Sequence, residues 1–130
     1  MILLDTHVWW WSLSEPENLS PKALKAIKKV KTEERFIASI SIWEFAMMAA
    51  GKRIELTVSP LKWLSRAIEA AGITVVELSP EIALESCSLP EEFHKDPADR
   101  MIVATARMHN LILITKDQKI LDYPHVKAVW

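Results

Sequence analysis

The sequence predicts an α/β fold, a three-layer sandwich around a central, mostly parallel twisted sheet, as one domain over residues 1–130. Three observations carry this reading. Short apolar runs rich in β-branched residues recur along the chain, and helical patterns separate them. Continuous apolar runs suit strands buried on both faces, as in a parallel sheet. Several helix starts are also marked by a capping residue directly before proline, the residue pre-set for the first helical position.

The elements follow in order. Ile2-Leu3-Leu4 is the first strand, and the helix after it contains Trp9-Trp10-Trp11. Ser20-Pro21 opens a second helix, Phe36-Ile37-Ala38 is the second strand, and Ser41 starts a third helix. Ser59-Pro60 opens another helix, with Gly72 at its C-cap, before the strand Ile73-Thr74-Val75-Val76. Ser79-Pro80 and Asp96-Pro97 open two more, and Asn110 closes the latter. The strand Leu111 to Ile114 comes next, Asp117 is placed to cap a short helical stretch from Gln118 to Leu121, and Val126 to Val129 reads as an edge strand. Strands alternating with helices require right-handed crossovers between parallel neighbours.

Composition narrows the class. Half of the 130 residues are hydrophobic and only two are glycine, which describes a packed core and excludes a disordered chain. No apolar run reaches the ~18 residues of a membrane span, and the opening Met1 to Asp5 lacks the basic and apolar regions of a signal peptide. The chain therefore reads as cytoplasmic. Cys87, the single cysteine, excludes an internal disulfide and reads as a small buried hydrophobe. A net charge of −1 and a pI near 6.4 do not advertise nucleic-acid binding, although a local patch can steer a ligand. The lysines at 22, 25, 28, 29 and 31 are the one such stretch, and they read as a solvated helix face.

Ligands of open α/β sheets bind beyond the carboxyl ends of the strands, where helices begin. Asp5, Glu44, Asp99 and Asp117 all fall on strand-to-helix transitions at that rim. Each has a local alternative. Glu44 completes a capping box with Ser41, Asp99 suits its helix dipole and can pair with Arg100, and Asp117 can cap Gln118 to Leu121. Asp5 ends a buried strand, where a carboxylate is expected to have no structural duty. Clustered carboxylates repel one another, and desolvation raises their pKa values, so a bound divalent cation would resolve the conflict. Oxygen ligands without histidine or thiolate point to Mg²⁺ or Mn²⁺. Such an ion activates water and stabilises charge on a phosphoryl oxygen, which suggests phosphate-ester chemistry.

Four blocks of the sequence now bear on identity: Leu4-Asp5-Thr6-His7-Val8-Trp9, Ser41-Ile42-Trp43-Glu44, His94-Lys95-Asp96-Pro97-Ala98-Asp99-Arg100 and Leu113-Ile114-Thr115-Lys116-Asp117. Together, in this order, they resemble the signature blocks of PIN-domain nucleases, most closely the VapC-type toxins of prokaryotic toxin–antitoxin pairs. The resemblance implies a Mg²⁺- or Mn²⁺-dependent endoribonuclease that acts on an RNA substrate, is restrained by a cognate antitoxin and forms a homodimer. It further implies that Asp5 and Asp99 bind metal while Glu44 and Asp117 complete the catalytic site and orient water. Thr115 matches a small hydroxyl residue beside the last acid. Thr6, Asp96 and Arg100 are candidates for contacts to substrate or to the catalytic acids, with capping before Pro97 an equal account of Asp96. His94, close to the motif, reads as a solvent-facing or hydrogen-bonded loop histidine.

Two other functions fit the residues less well. A catalytically inactive PIN scaffold that only binds RNA or a protein would not need the four acids intact. Phosphatases with an aspartate nucleophile commonly carry a second aspartate two residues later, where this chain has His7. Finally, at ~100° per residue three consecutive tryptophans cannot all face one sheet, so at least one of Trp9, Trp10 and Trp11 should point outward, either as an anchor for a protein partner or under a neighbouring helix of the same chain.

Overall fold

A computed structural model describes all residues from Met1 to Trp130. Five strands form one wholly parallel sheet: β1 (Ile2–Leu4), β2 (Arg35–Ala38), β3 (Thr74–Val76), β4 (Ile112–Ile114) and β5 (Ala128–Val129), in the spatial order β3-β2-β1-β4-β5. The helices are α1 (Thr6–Ser14), α2 (Pro21–Lys29), α3 (Ser39–Ala50), α4 (Pro60–Ser65), α5 (Pro80–Cys87), α6 (Pro97–Met108) and α7 (Gln118–Leu121). A π-helical turn, Arg66–Ala70, extends α4. No helix is long and apolar enough to cross a membrane.

Successive side chains of a strand point to opposite faces, and that alternation divides the core in two. Ile2 and Leu4 pack with Val8, Trp9 and Trp10 of α1, Ala23 and Ile27 of α2 and Phe45 of α3 on one face. Leu3 and Leu113 pack with Ile82 of α5, Ile102 and Val103 of α6 and Ile120 of α7 on the other. The result is the expected three-layer sandwich.

The four Ser-Pro and Asp-Pro signals all mark real helix starts, where Ser20, Ser59, Ser79 and Asp96 accept hydrogen bonds from the backbone N–H of Ala23, Lys62, Ile82 and Asp99. Gly72 has φ +66°, and a Cβ there would stand 2.8 Å from Thr32 Cγ2, so this turn into β3 requires glycine. The five lysines around α2 are exposed, as a solvated face should be.

Two local expectations fail. α3 begins at Ser39, with Ala38 as its N-cap and no side-chain cap, so Ser41 and Glu44 form no capping box. Ser41 lies one turn further in and is fully buried. Cys87 is exposed at the end of α5, because the apolar stripe of that short helix runs through Ile82 instead. Among the tryptophans, Trp9 and Trp10 are 0% and 5% exposed, packed against Phe45 and Trp63, and Trp11 alone is half-buried.

Candidate active site

The strand order reverses direction between β1 and β4, and a parallel sheet opens a crevice at such a switch point. Asp5 leaves the carboxyl end of β1 and Asp117 follows β4 by three residues, so the two flank that crevice. Glu44 enters from α3 and Asp99 from the first turn of α6. All four are half-buried, and all line one open cavity of about 480 Å³, together with His7, Trp11 and Lys116. The rim predicted from sequence is thus assembled in space.

Hydroxyl groups fix the acids. Thr115, fully buried, donates to Asp5 Oδ2 at 2.6 Å and accepts from the backbone N–H of Asp117 at 3.0 Å. Asp5 Oδ1 accepts from the Thr6 N–H at 2.8 Å, which makes Asp5 the N-cap of α1. Asp5 therefore does have structural duties, contrary to the sequence expectation, because the chain turns straight from β1 into a helix that needs a cap. The Thr6 hydroxyl donates to Glu44 Oε1 at 2.6 Å, and its oxygen lies 2.9 Å from Ser41 Oγ. Asp117 caps α7 by accepting from the Lys119 N–H. Capping and membership of the acidic cluster coexist at Asp5 and Asp117.

Asp99 is the least compensated. Burial, followed by the charges of Asp5, Asp96, Asp117 and Glu44, pushes its carboxyl up to about 8. Burial likewise raises Asp5, against the hydrogen bonds from Thr115 and Thr6, and raises Glu44, against the bond from Thr6. Only Lys116 brings a fixed positive charge to the cavity lining.

Arg100 departs from the sequence reading, and Asp96 and His94 each follow part of it. Arg100 does not pair with Asp99 or face the cavity. Its guanidinium donates to the backbone carbonyls of Ser86, Phe93 and His94, tying α6 to the segment before it. Asp96 lies outside the acidic cavity, where it caps α6 and lines a neighbouring apolar groove. His94, expected as a solvent-facing or hydrogen-bonded loop residue, has Nε2 3.1 Å from Asp99 Oδ2. A largely protonated Asp99 gives this contact little ion-pair character at neutral pH. Ligand atoms of His94, Asp99 and Asp117 lie within 4.8 Å of one another, so imidazole is in reach of the acids after all. Trp11 and Lys116 were missed as site residues. The i, i+4 spacing of His7 and Trp11 along a helix leaving Asp5 was the available signal.

Comparison with known proteins agrees with this fold. The model of the PIN domain family matches residues 2–126. Ribonuclease VapC22 of Mycobacterium tuberculosis is 38% identical over 128 residues, covering 98% of this chain and 95% of that protein. A toxin–antitoxin complex from Klebsiella pneumoniae superposes with a TM-score of 0.70 at 24% identity, covering 100% of this chain and 97% of the matched one. DNA-bound VapBC from Salmonella typhimurium gives a TM-score of 0.71 at 18% identity, covering 99% of this chain and 98% of the matched one. These two likenesses are of fold.

Proposed function

The chain belongs to the PIN-domain family, with a VapC ribonuclease among its relatives, and from that premise we propose that it is the endoribonuclease toxin of a toxin–antitoxin pair. The observation that carries this reading is the convergence of Asp5, Glu44, Asp99 and Asp117 on one cavity at the switch point of the sheet.

The donor set suits a hard divalent cation, Mg²⁺ or Mn²⁺. Carboxylates crowded together, one of them pushed up to about 8, are relieved when a cation replaces the proton. Asp5 and Asp99 are the proposed direct ligands, with Asp117 and His94 close to Asp99. A divalent ion held there would lower the pKa of a bound water and supply a counter-charge for the phosphate. Thr115 and the Thr6 N–H hold the Asp5 carboxylate in place. Glu44, raised by burial and oriented by Thr6, is suited to accept a proton from the attacking water. Asp117, whose backbone N–H donates to Thr115, would orient that water from the β4 side.

The partners follow from the same reading: an RNA substrate, a cognate antitoxin and a second copy of the chain. Trp43 and Met47, 54% and 44% exposed on α3, border the apolar groove beside the acids and are the proposed antitoxin contacts. Incubation of the purified protein with total RNA, in Mn²⁺ or Mg²⁺ and in excess chelator, tests the activity. Cleavage should appear only with the ion and should vanish in Asp5→Ala and Asp99→Ala. Equal cleavage in chelator would refute the metal mechanism, and no cleavage under any condition would refute the nuclease.

A further inference from the structure

The acidic cavity has one wall that the catalytic acids do not explain. It consists of His7 and Trp11 from α1 and Lys116 from the turn after β4. His7 and Lys116 are exposed and Trp11 is half-buried. The His7 and Trp11 rings lie 5.6 Å apart between centroids, tilted at 51°, one helical turn from each other. Lys116 Nζ sits over the Trp11 ring, 5.7 Å from its centre. Trp130 supports the indole at 6.0 Å. A large aromatic surface and an exposed cation therefore stand on the same cavity as four acids.

We propose that Trp11, extended by His7, is a stacking platform for an unpaired base of the RNA substrate, and that Lys116 holds the phosphate joined to that base. The proposal rests on the nuclease reading and assigns the substrate subsite next to its acids. Three arguments favour a nucleic acid over a protein segment at this wall. First, the remaining lining is acidic, so an incoming strand of phosphates needs a cation at the entry, and Lys116 is the only fixed one there. Second, every base has a π-face, so stacking on indole takes single strands without demanding a sequence. Third, Lys116 is held over the ring only by a cation–π contact at an exposed site, an attraction of small size that a stacked base and its phosphate can replace. The apolar groove near Trp43, by contrast, offers no cation and suits a protein side chain.

The test separates binding from cutting. Binding of a fluorescein-labelled, random-sequence single-stranded RNA 12-mer is followed by anisotropy in an Asp99→Asn background, and cleavage is measured separately with the unmodified protein. Adding Trp11→Ala should weaken binding by about tenfold, and Trp11→Phe should recover most of it. Lys116→Gln should lower the salt dependence of log Kd by about 0.7, the value for one phosphate contact on a single strand. Should Trp11→Ala lose its cooperative thermal transition, Trp11→Leu replaces it, filling the space without a π-face. Binding within twofold of the parent for the alanine or leucine variant would overturn the proposal. So would equal loss in Trp11→Phe, which would mark packing against Trp130 as the cause. Absence of cleavage by the unmodified protein would instead count against the nuclease and leave the binding result to decide this subsite.

Discussion

Thr115 and Asp5, 110 residues apart in the chain, are joined by a 2.6 Å hydrogen bond that ties the ends of β4 and β1 together at the mouth of the crevice. The same hydroxyl oxygen accepts the Asp117 N–H, so a single fully buried side chain sets the relation of two acids. Thr115→Val keeps the shape and removes both bonds. It should lower stability by roughly 1–3 kcal/mol, because it leaves a part-buried N–H and a carboxylate oxygen unpaired. Cleavage should fall at least tenfold, and Thr115→Ser should restore both. Urea unfolding and initial rates check this, and unchanged values in the valine variant would contradict it.

Arg100 clamps the backbone through its guanidinium. Its three carbonyl partners lie on α5 and on the segment carrying His94. A lysine at 100 presents a point charge and cannot reproduce the fork. Arg100→Lys should therefore cost roughly 1–3 kcal/mol in thermal unfolding. A variant of native stability with weakened RNA binding would return Arg100 to the role expected from sequence.

The tryptophans divide by burial. Trp10→Ala should destabilise by roughly 3–5 kcal/mol, as expected of a large side chain removed from a packed core. Trp43→Ala, at an exposed position, should leave unfolding within about 0.5 kcal/mol of the parent. It should nevertheless weaken co-purification of the antitoxin. A stability loss at Trp43 comparable to that at Trp10 would contradict this division.

The acids also predict how stability depends on pH. Asp99 has an unfolded value near 3.8 and a folded value raised to about 8. Between those values the folded state binds more protons, so stability of the metal-free protein falls as pH rises from about 4 to about 8. Asp99→Asn removes this contribution. In chelator at pH 8 the variant should be more stable than the parent, by roughly 1 kcal/mol or more if one close repulsion is relieved. Saturating Mn²⁺ should reverse the order, because the parent gains more binding free energy. Asp99 is a cleaner probe than Asp5, whose oxygens accept from Thr6 and Thr115. Unfolding curves with the parent more stable in both conditions would contradict the repulsion.

The layers were legible because β-branched runs and Ser-Pro caps are local signals whose structure depends little on distant residues. The rim of acids was legible because the carboxyl ends of parallel strands share one edge. Several details needed the tertiary structure. The start of α3 moved to Ser39 because packing of Ser41 against Thr6 overrode a capping pattern. Arg100 turned away because three carbonyls out of sequence register await it. His94 met Asp99 through the turn at Asp96-Pro97, and periodicity does not encode such an approach. Trp11 could be expected to face outward with some neighbour, but only folding shows that the neighbours are Lys116 and the acids.

Four acids that converge to hold a cation in place of a proton should bind Mn²⁺ in calorimetric titration of the metal-free protein. Asp99, held up to about 8, must lose its proton before it can ligate. Affinity should therefore tighten roughly tenfold from pH 6.5 to pH 8, with close to one proton released at the lower pH. Both effects should disappear in Asp99→Asn. Absence of Mn²⁺ binding, or binding of equal affinity at the two pH values without proton release, would contradict the account.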